Sequence, residues 1–63
     1  MEDYQKRVVD EKAKLDERLE KLKEFQTTTK FGSIHVDEKN RLYRQEEVMT
    51  EYLKILGERI ESF

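Results

Sequence analysis

Between Tyr4 and Phe25 the apolar residues Tyr4, Val8, Leu15, Leu19, Leu22 and Phe25 recur three, four or seven positions apart, with polar residues filling most of the gaps. That spacing draws a single stripe down a helix of 3.6-residue period and predicts a helix over residues 3–26. Asp3 is its expected N-cap, and Glu2 and Asp3 suit the positive end of the helix dipole. A second pattern, Leu42, Val48, Met49, Tyr52, Leu53, Ile55, Leu56, Ile60 and Phe63, predicts a helix over residues 37–62 with Asp37 as N-cap. This apolar set is too wide for one neighbour. A hairpin partner accounts for a heptad-like seam of Leu42, Met49, Tyr52, Leu56 and Phe63, while Val48, Leu53, Ile55 and Ile60 extend the apolar surface to both sides of it.

The segment TTTKFGSIHV, residues 27–36, is the one stretch without helical patterning. It is long enough to fold the second helix antiparallel onto the first, and no Pro interrupts either helix. In that register Leu22 faces Gln45, Leu19 faces Met49, Leu15 faces Tyr52, and Tyr4 approaches Phe63. Glu11, Gln45 and Arg59 then fall on the seam, and an ion pair between Glu11 and Arg59 is expected, because a lone charge inside a helical seam is strongly destabilising. The predicted fold is all-α, one domain over residues 1–63, a two-helix antiparallel hairpin. Val48, Tyr52, Ile55, Ile60 and Phe63 are the expected interface through which hairpins assemble into a helical-bundle homo-oligomer. Gly57 sits inside the second helix, where glycine costs about 1 kcal/mol relative to alanine. It marks either a close approach or a tolerated glycine near the helix end.

Length and composition narrow the picture further. A chain of 63 residues buries too little apolar surface to offset chain entropy comfortably without a staple or a partner. There are no cysteines, so disulfides and thiolate zinc sites are excluded and self-association is the expected stabiliser. Thirteen basic and fifteen acidic residues leave a net charge of −2, with both signs interspersed. No broad basic face is presented to duplex DNA. Oppositely charged pairs at four-residue spacing, Asp3 with Arg7, Asp10 with Lys14 and Glu17 with Lys21, are expected to decorate the outer face of the first helix. No apolar run reaches the length of a membrane span and the N-terminus has no signal-peptide core, which points to the cytoplasm.

The search for chemistry returns to the connection. Phe31, Ile34 and Val36 suit a lid over the open end of the hairpin, with the Thr run ending the first helix and Gly32 turning the chain. The same segment also offers Lys30, hydroxyls and backbone N–H groups, with Arg41, Tyr43 and Arg44 close behind it, the cations for phosphate and the tyrosine for stacking on a base. No phosphate-loop spacing is present, so the lid accounts for more of the segment. His35 has no second His or Cys to build a metal site, and no nucleophile motif appears, so neither a metal, a cofactor nor enzymatic activity is expected.

The positions Tyr4-Gln5-x-Arg7-Val8, Leu15, Leu22-x-x-Phe25, Phe31, Leu42-x-x-Gln45-x-x-x-Met49-x-x-Tyr52-x-x-Ile55-Leu56-x-x-Arg59-Ile60-x-x-Phe63 resemble a family of short bacteriophage proteins. That family is named after a hypothetical protein of crAss-like phages and looks like two-helix hairpins. The resemblance covers nearly the whole chain and is built from core positions; it carries over no functional residue. It implies a phage accessory protein in the cytoplasm of the bacterial host, of the small helical kind that includes counter-defence factors. Among these are oligomeric sponges that trap cyclic-nucleotide immune signals. Two alternatives stand beside that expectation: an inhibitor docking on a host defence enzyme, and an RNA-binding hairpin dimer using Lys6, Lys14 and Lys21.

Overall fold

A computed structural model describes residues 2–63 of the chain. Three helices follow in order: α1, Asp3–Phe25; α2, Thr29–Ser33; and α3, Val36–Glu61. The two long helices lie antiparallel as a rod whose Cα atoms span 46 × 15 × 13 Å.

Local chemistry sets the helix ends slightly off the expected positions. Glu2, not Asp3, is the N-cap of α1, and its backbone N–H donates to Gln5 Oε1 at 2.9 Å. His35, not Asp37, is the N-cap of α3, with its Nδ1 accepting the Asp37 N–H at 3.0 Å. The single histidine is therefore a helix cap. At the far end of α1 the hydroxyls of Thr27 and Thr28 donate to the carbonyls of Glu24 and Phe25 at 2.7 and 2.6 Å. Satisfying those carbonyls from the side ends the helix there.

The connection is a lid, and part of it is helical. Thr28 Oγ1 caps α2 by accepting the Phe31 N–H at 3.2 Å, which turns the Phe31 ring inward until it is buried. Phe25 and Tyr43 meet that ring edge-on at 5.8 and 5.7 Å between centroids. Lys39 Nζ stands 5.6 Å from its centre and donates to the Gly32 carbonyl at 3.0 Å, tying α2 to α3. At the opposite end Tyr4 and Phe63 pack edge-on at 6.0 Å, as the antiparallel register requires.

Between these aromatic ends the core is Val8, Leu15, Leu19 and Leu56, with Met49, Leu53 and Ile60 packed against it in part. The α3 seam therefore differs from expectation: Leu53 and Ile60 turn inward, and Tyr52 moves to the edge. Rolling α3 by one position packs two aliphatic side chains partly against the core and leaves Gln45 and Arg59 exposed, with Glu46 half-buried in their place. Neither glycine is forced by its backbone, since no glycine has a positive φ. A β-carbon at Gly57 would meet only Lys12 Cε, at an ordinary 3.7 Å.

Candidate functional site

The residues expected to bind a ligand do not converge within one hairpin. Arg41 Nε donates to Glu38 Oε1 at 2.8 Å, and Tyr43 spends one edge on Phe31. Arg41 and Arg44 share a shallow groove with Gln45, Val48 and Met49, but Tyr43, two residues from Arg41, lies on a different face of α3. Lys30 sits exposed on α2, outside that groove. Among the expected interface residues, Val48, Tyr52, Ile55 and Phe63 are exposed, whereas Ile60 packs on the core.

A different constellation lies midway along the rod. Arg7, Asp10, Glu11, Lys14, Leu15 and Arg18 of α1 face Tyr52 of α3 across an open groove of about 340 Å³. Leu15 forms its floor and belongs to the core. Arg7, Lys14 and Arg18 are spaced seven and four apart, which aligns them along one edge of α1 over about 16 Å of helix rise. Among the described residues none of these three cations makes an ion pair within 4 Å. Of the three acid–base pairs expected on α1 only Glu17 with Lys21 forms, at 3.1 Å. Arg7 and Lys14 point toward the groove instead.

One contact orders the groove. The Tyr52 hydroxyl donates to Glu11 Oε2, a bond between the two long helices. The expected partnership of Glu11 with Arg59 does not form among the described residues; the tyrosine takes the carboxylate, because the rolled register brings the phenol to it. Donation to Glu11 raises the Tyr52 pKa above its ordinary value of 10.0, partial desolvation and the negative charge of Glu11 add to the rise, and Arg59 opposes it. At neutral pH Tyr52 is thus a held, protonated ring. It presents a flat face and leaves the groove with three cations on one wall. Such a site offers charge for phosphate, an aromatic surface for a base, and carboxylate acceptors for hydroxyl or amino donors.

The opposite edge of the rod carries a second groove, lined by Val9, Lys12, Ala13, Asp16, Gly57, Ile60 and Glu61. Its cation is already matched, Lys12 Nζ to Asp16 Oδ2 at 3.3 Å. Among the described residues no cluster of three or more His, Asp or Glu is arranged to hold a metal ion.

Compared with known families, residues 2–62 match the model of the family described as Sequestin. The chain belongs to the Sequestin family. No curated protein and no solved structure matches it significantly. The Sequestin match spans both long helices and the lid, so it covers the Tyr52 groove and the lid cations alike. The family's name fits a protein that holds on to something, and nothing in the match links the chain to crAss-like phages.

The sequence carried one signal for the Tyr52 groove. Arg7, Lys14 and Arg18 share an edge of the helix with Glu11, beside the Leu15 stripe. Asp3 and Asp10 stand four residues before Arg7 and Lys14, a spacing that equally suits local ion pairs.

Proposed function

We propose that this protein sequesters a cyclic-nucleotide immune signal, acting as an oligomeric helical sponge in phage counter-defence within the host cytoplasm. It binds and withholds the signal without transforming it. Membership of the Sequestin family supports a sequestering role. The observation that carries the choice of ligand is the groove where Arg7, Lys14 and Arg18, without ion-pair partners among the described residues, flank the ring of Tyr52. Phosphates meet the cations, and a base has Tyr52 to lie against. In this reading the principal contacts are on α1 and Tyr52. Lys30, Arg41, Tyr43 and Arg44 stay in the reading as secondary contacts on neighbouring faces of an assembly, where different subunits bring them near one another.

Calorimetric titration with a panel of cyclic oligonucleotides and cyclic ADP-ribose derivatives tests the reading. Saturable heat from one member, lost in Arg18→Ala, is the expected result. No heat from any member would remove it. A host-lysate pull-down that recovers one dominant defence enzyme, with no heat from the panel, would favour the inhibitor reading instead.

A further inference from the structure

We infer that the Tyr52 hydroxyl is a positioning group for its groove: by holding Glu11 it keeps Arg7 and Lys14 free, and without it Glu11 closes on one of them and masks the site from an anion. The inference rests on the sequestering reading above and specifies how that site is kept open.

Reach is the first ground. Residues three and four apart on a helix are neighbours, and Glu11 has Arg7 four positions before it and Lys14 three after it. Both spacings lie within a glutamate's reach in this chain. Glu17 meets Lys21 across four positions at 3.1 Å, and Glu38 meets Arg41 across three at 2.8 Å. Arg7, Glu11 and Lys14 line one groove, yet among the described residues no ion pair joins them within 4 Å. Asp10 lines the same groove with a side chain one methylene shorter and does not close on Lys14 either. Glu11 is therefore the carboxylate whose placement decides how many cations are free.

The second ground is what holds Glu11. Its Oε2 accepts from a hydroxyl 41 positions away in sequence, on the other long helix. The donor sits on a stiff ring with few rotatable bonds, whereas Arg7 or Lys14 must order a long flexible stem to make the same contact. A hydrogen bond to a charged acceptor is also worth more than an exposed ion pair. Tyr52 thus wins the carboxylate from the cations beside it.

Charge supplies the third ground. The groove holds the same three cations and two carboxylates whichever way Glu11 turns. Arrangement, not total charge, sets what a phosphate meets. With Glu11 on Tyr52, Arg7, Lys14 and Arg18 are all available; with Glu11 on Arg7 or Lys14, one of them is spent. Arg18 is seven positions from Glu11 and stays free in both arrangements, so masking weakens the site without abolishing it.

Tyr52→Phe keeps the ring and deletes the hydroxyl. Titration of the whole chain with cyclic di-AMP and with cyclic ADP-ribose should show this variant binding about two- to fivefold more weakly than the parent, the worth of an exposed ion pair. Adding Glu11→Gln to it should recover the loss, because no carboxylate is left to close. The gain from Glu11→Gln should accordingly be larger in the Tyr52→Phe background than in the parent. A ligand-free structure of Tyr52→Phe should place Glu11 at ion-pair distance from Arg7 or Lys14. Equal gains in the two backgrounds, or a Glu11 that stays clear of both cations in that structure, would overturn the inference and leave sequestration standing. A parent chain giving no heat with any cyclic nucleotide would remove sequestration, and the ligand-free structure would still decide where Glu11 goes. If Tyr52→Phe loses its helical circular dichroism, Glu11→Gln in the parent decides by its sign: tighter binding supports the inference and weaker binding overturns it.

Discussion

The two long edges of this hairpin are built from similar residues and differ in what has been left unmatched. On the Gly57 edge, Lys12 is held by Asp16 at 3.3 Å, and its Cε lies beside Gly57. On the Tyr52 edge, Arg7, Lys14 and Arg18 have no such partner among the described residues, although Asp10 and Glu11 line the same groove. Glu11 is occupied by the Tyr52 hydroxyl and so does not pair with the cations beside it. The presence of charge thus marks neither edge as a site, since both have it. What separates them is one neutral donor that takes up a carboxylate and leaves the neighbouring cations available to an anion from outside.

Both edges depend on one buried side chain. Leu56 is wholly inaccessible and sits in the cluster with Val8 and Leu15, so Leu56→Ala removes the packing that sets the two helices' separation. A loss of about 3–5 kcal/mol is expected for a leucine this buried. In a core of so few residues that loss should abolish the cooperative urea transition followed by circular dichroism. A transition that survives with its midpoint unchanged would mean that the hairpin is held together elsewhere.

The edges separate under smaller changes. Lys14→Ala and Lys12→Ala each delete one lysine from α1, two residues apart and on opposite edges. In titrations with a cyclic nucleotide, Lys14→Ala should cost about tenfold in affinity, in line with losing one charge-assisted hydrogen bond of roughly 1.5 kcal/mol. Lys12→Ala should leave affinity unchanged, because its charge is already committed to Asp16. Equal losses from the two would mean that the ligand responds to net charge alone, and the contrast between the edges would then have no functional content.

Gly57→Ala sharpens the same contrast from the other edge. The added β-carbon meets only Lys12 Cε at 3.7 Å, and the backbone there is ordinary helix. The substitution should stabilise the chain by about 1 kcal/mol through helix propensity, with mass and ligand affinity unaltered. Loss of assembly or binding in Gly57→Ala would show that another backbone approaches there, and would move the working face from the Tyr52 edge to this one.

Much of the architecture was legible from spacing alone. The 3.6-residue period of Tyr4, Val8, Leu15, Leu19 and Leu22 gave one helix face without ambiguity, and the antiparallel register followed to the meeting of Tyr4 with Phe63. On α3 the spacing was degenerate. Leu42, Met49 and Leu56 combine equally well with the 45, 52, 59 row or with the 46, 53, 60 row, and only packing decides. The chain takes the second, which packs Leu53 and Ile60 partly against the core and leaves Arg59 in solvent. That choice also sets Tyr52 at the rim, where its hydroxyl reaches Glu11, so the site's organising contact was hidden by the same ambiguity. The helix caps slipped by one or two residues because Glu2 and His35 have side chains able to serve as well as Asp3 and Asp37. Four-residue spacing permits ion pairs on α1 without requiring them: of Asp3 with Arg7, Asp10 with Lys14 and Glu17 with Lys21, only the last closes.

The least disruptive change concerns the Tyr52 to Glu11 contact itself. The folded-state pKa of Tyr52 lies above its unfolded value, chiefly because the phenol donates to a carboxylate. The stabilising contribution is therefore complete below the ordinary tyrosine range near pH 10. It is lost as pH rises through the raised folded value, and nothing in it changes across neutral pH. Glu11→Gln keeps an acceptor while removing its charge. Phenolate absorbance, or the Tyr52 ring-carbon shift followed by nuclear magnetic resonance, should place the Tyr52 titration lower in this variant than in the parent. Stability measured by urea unfolding should likewise fall less steeply above pH 10 in Glu11→Gln. At neutral pH the two proteins should be nearly equal in stability, since the contact is solvent-accessible and both retain a hydrogen bond. A Tyr52 titration that does not move would mean that its elevation comes from desolvation and not from Glu11. The carboxylate would then be free to pair with Arg7, Lys14 or Arg18, and the Tyr52 edge would be as self-satisfied as the Gly57 edge opposite.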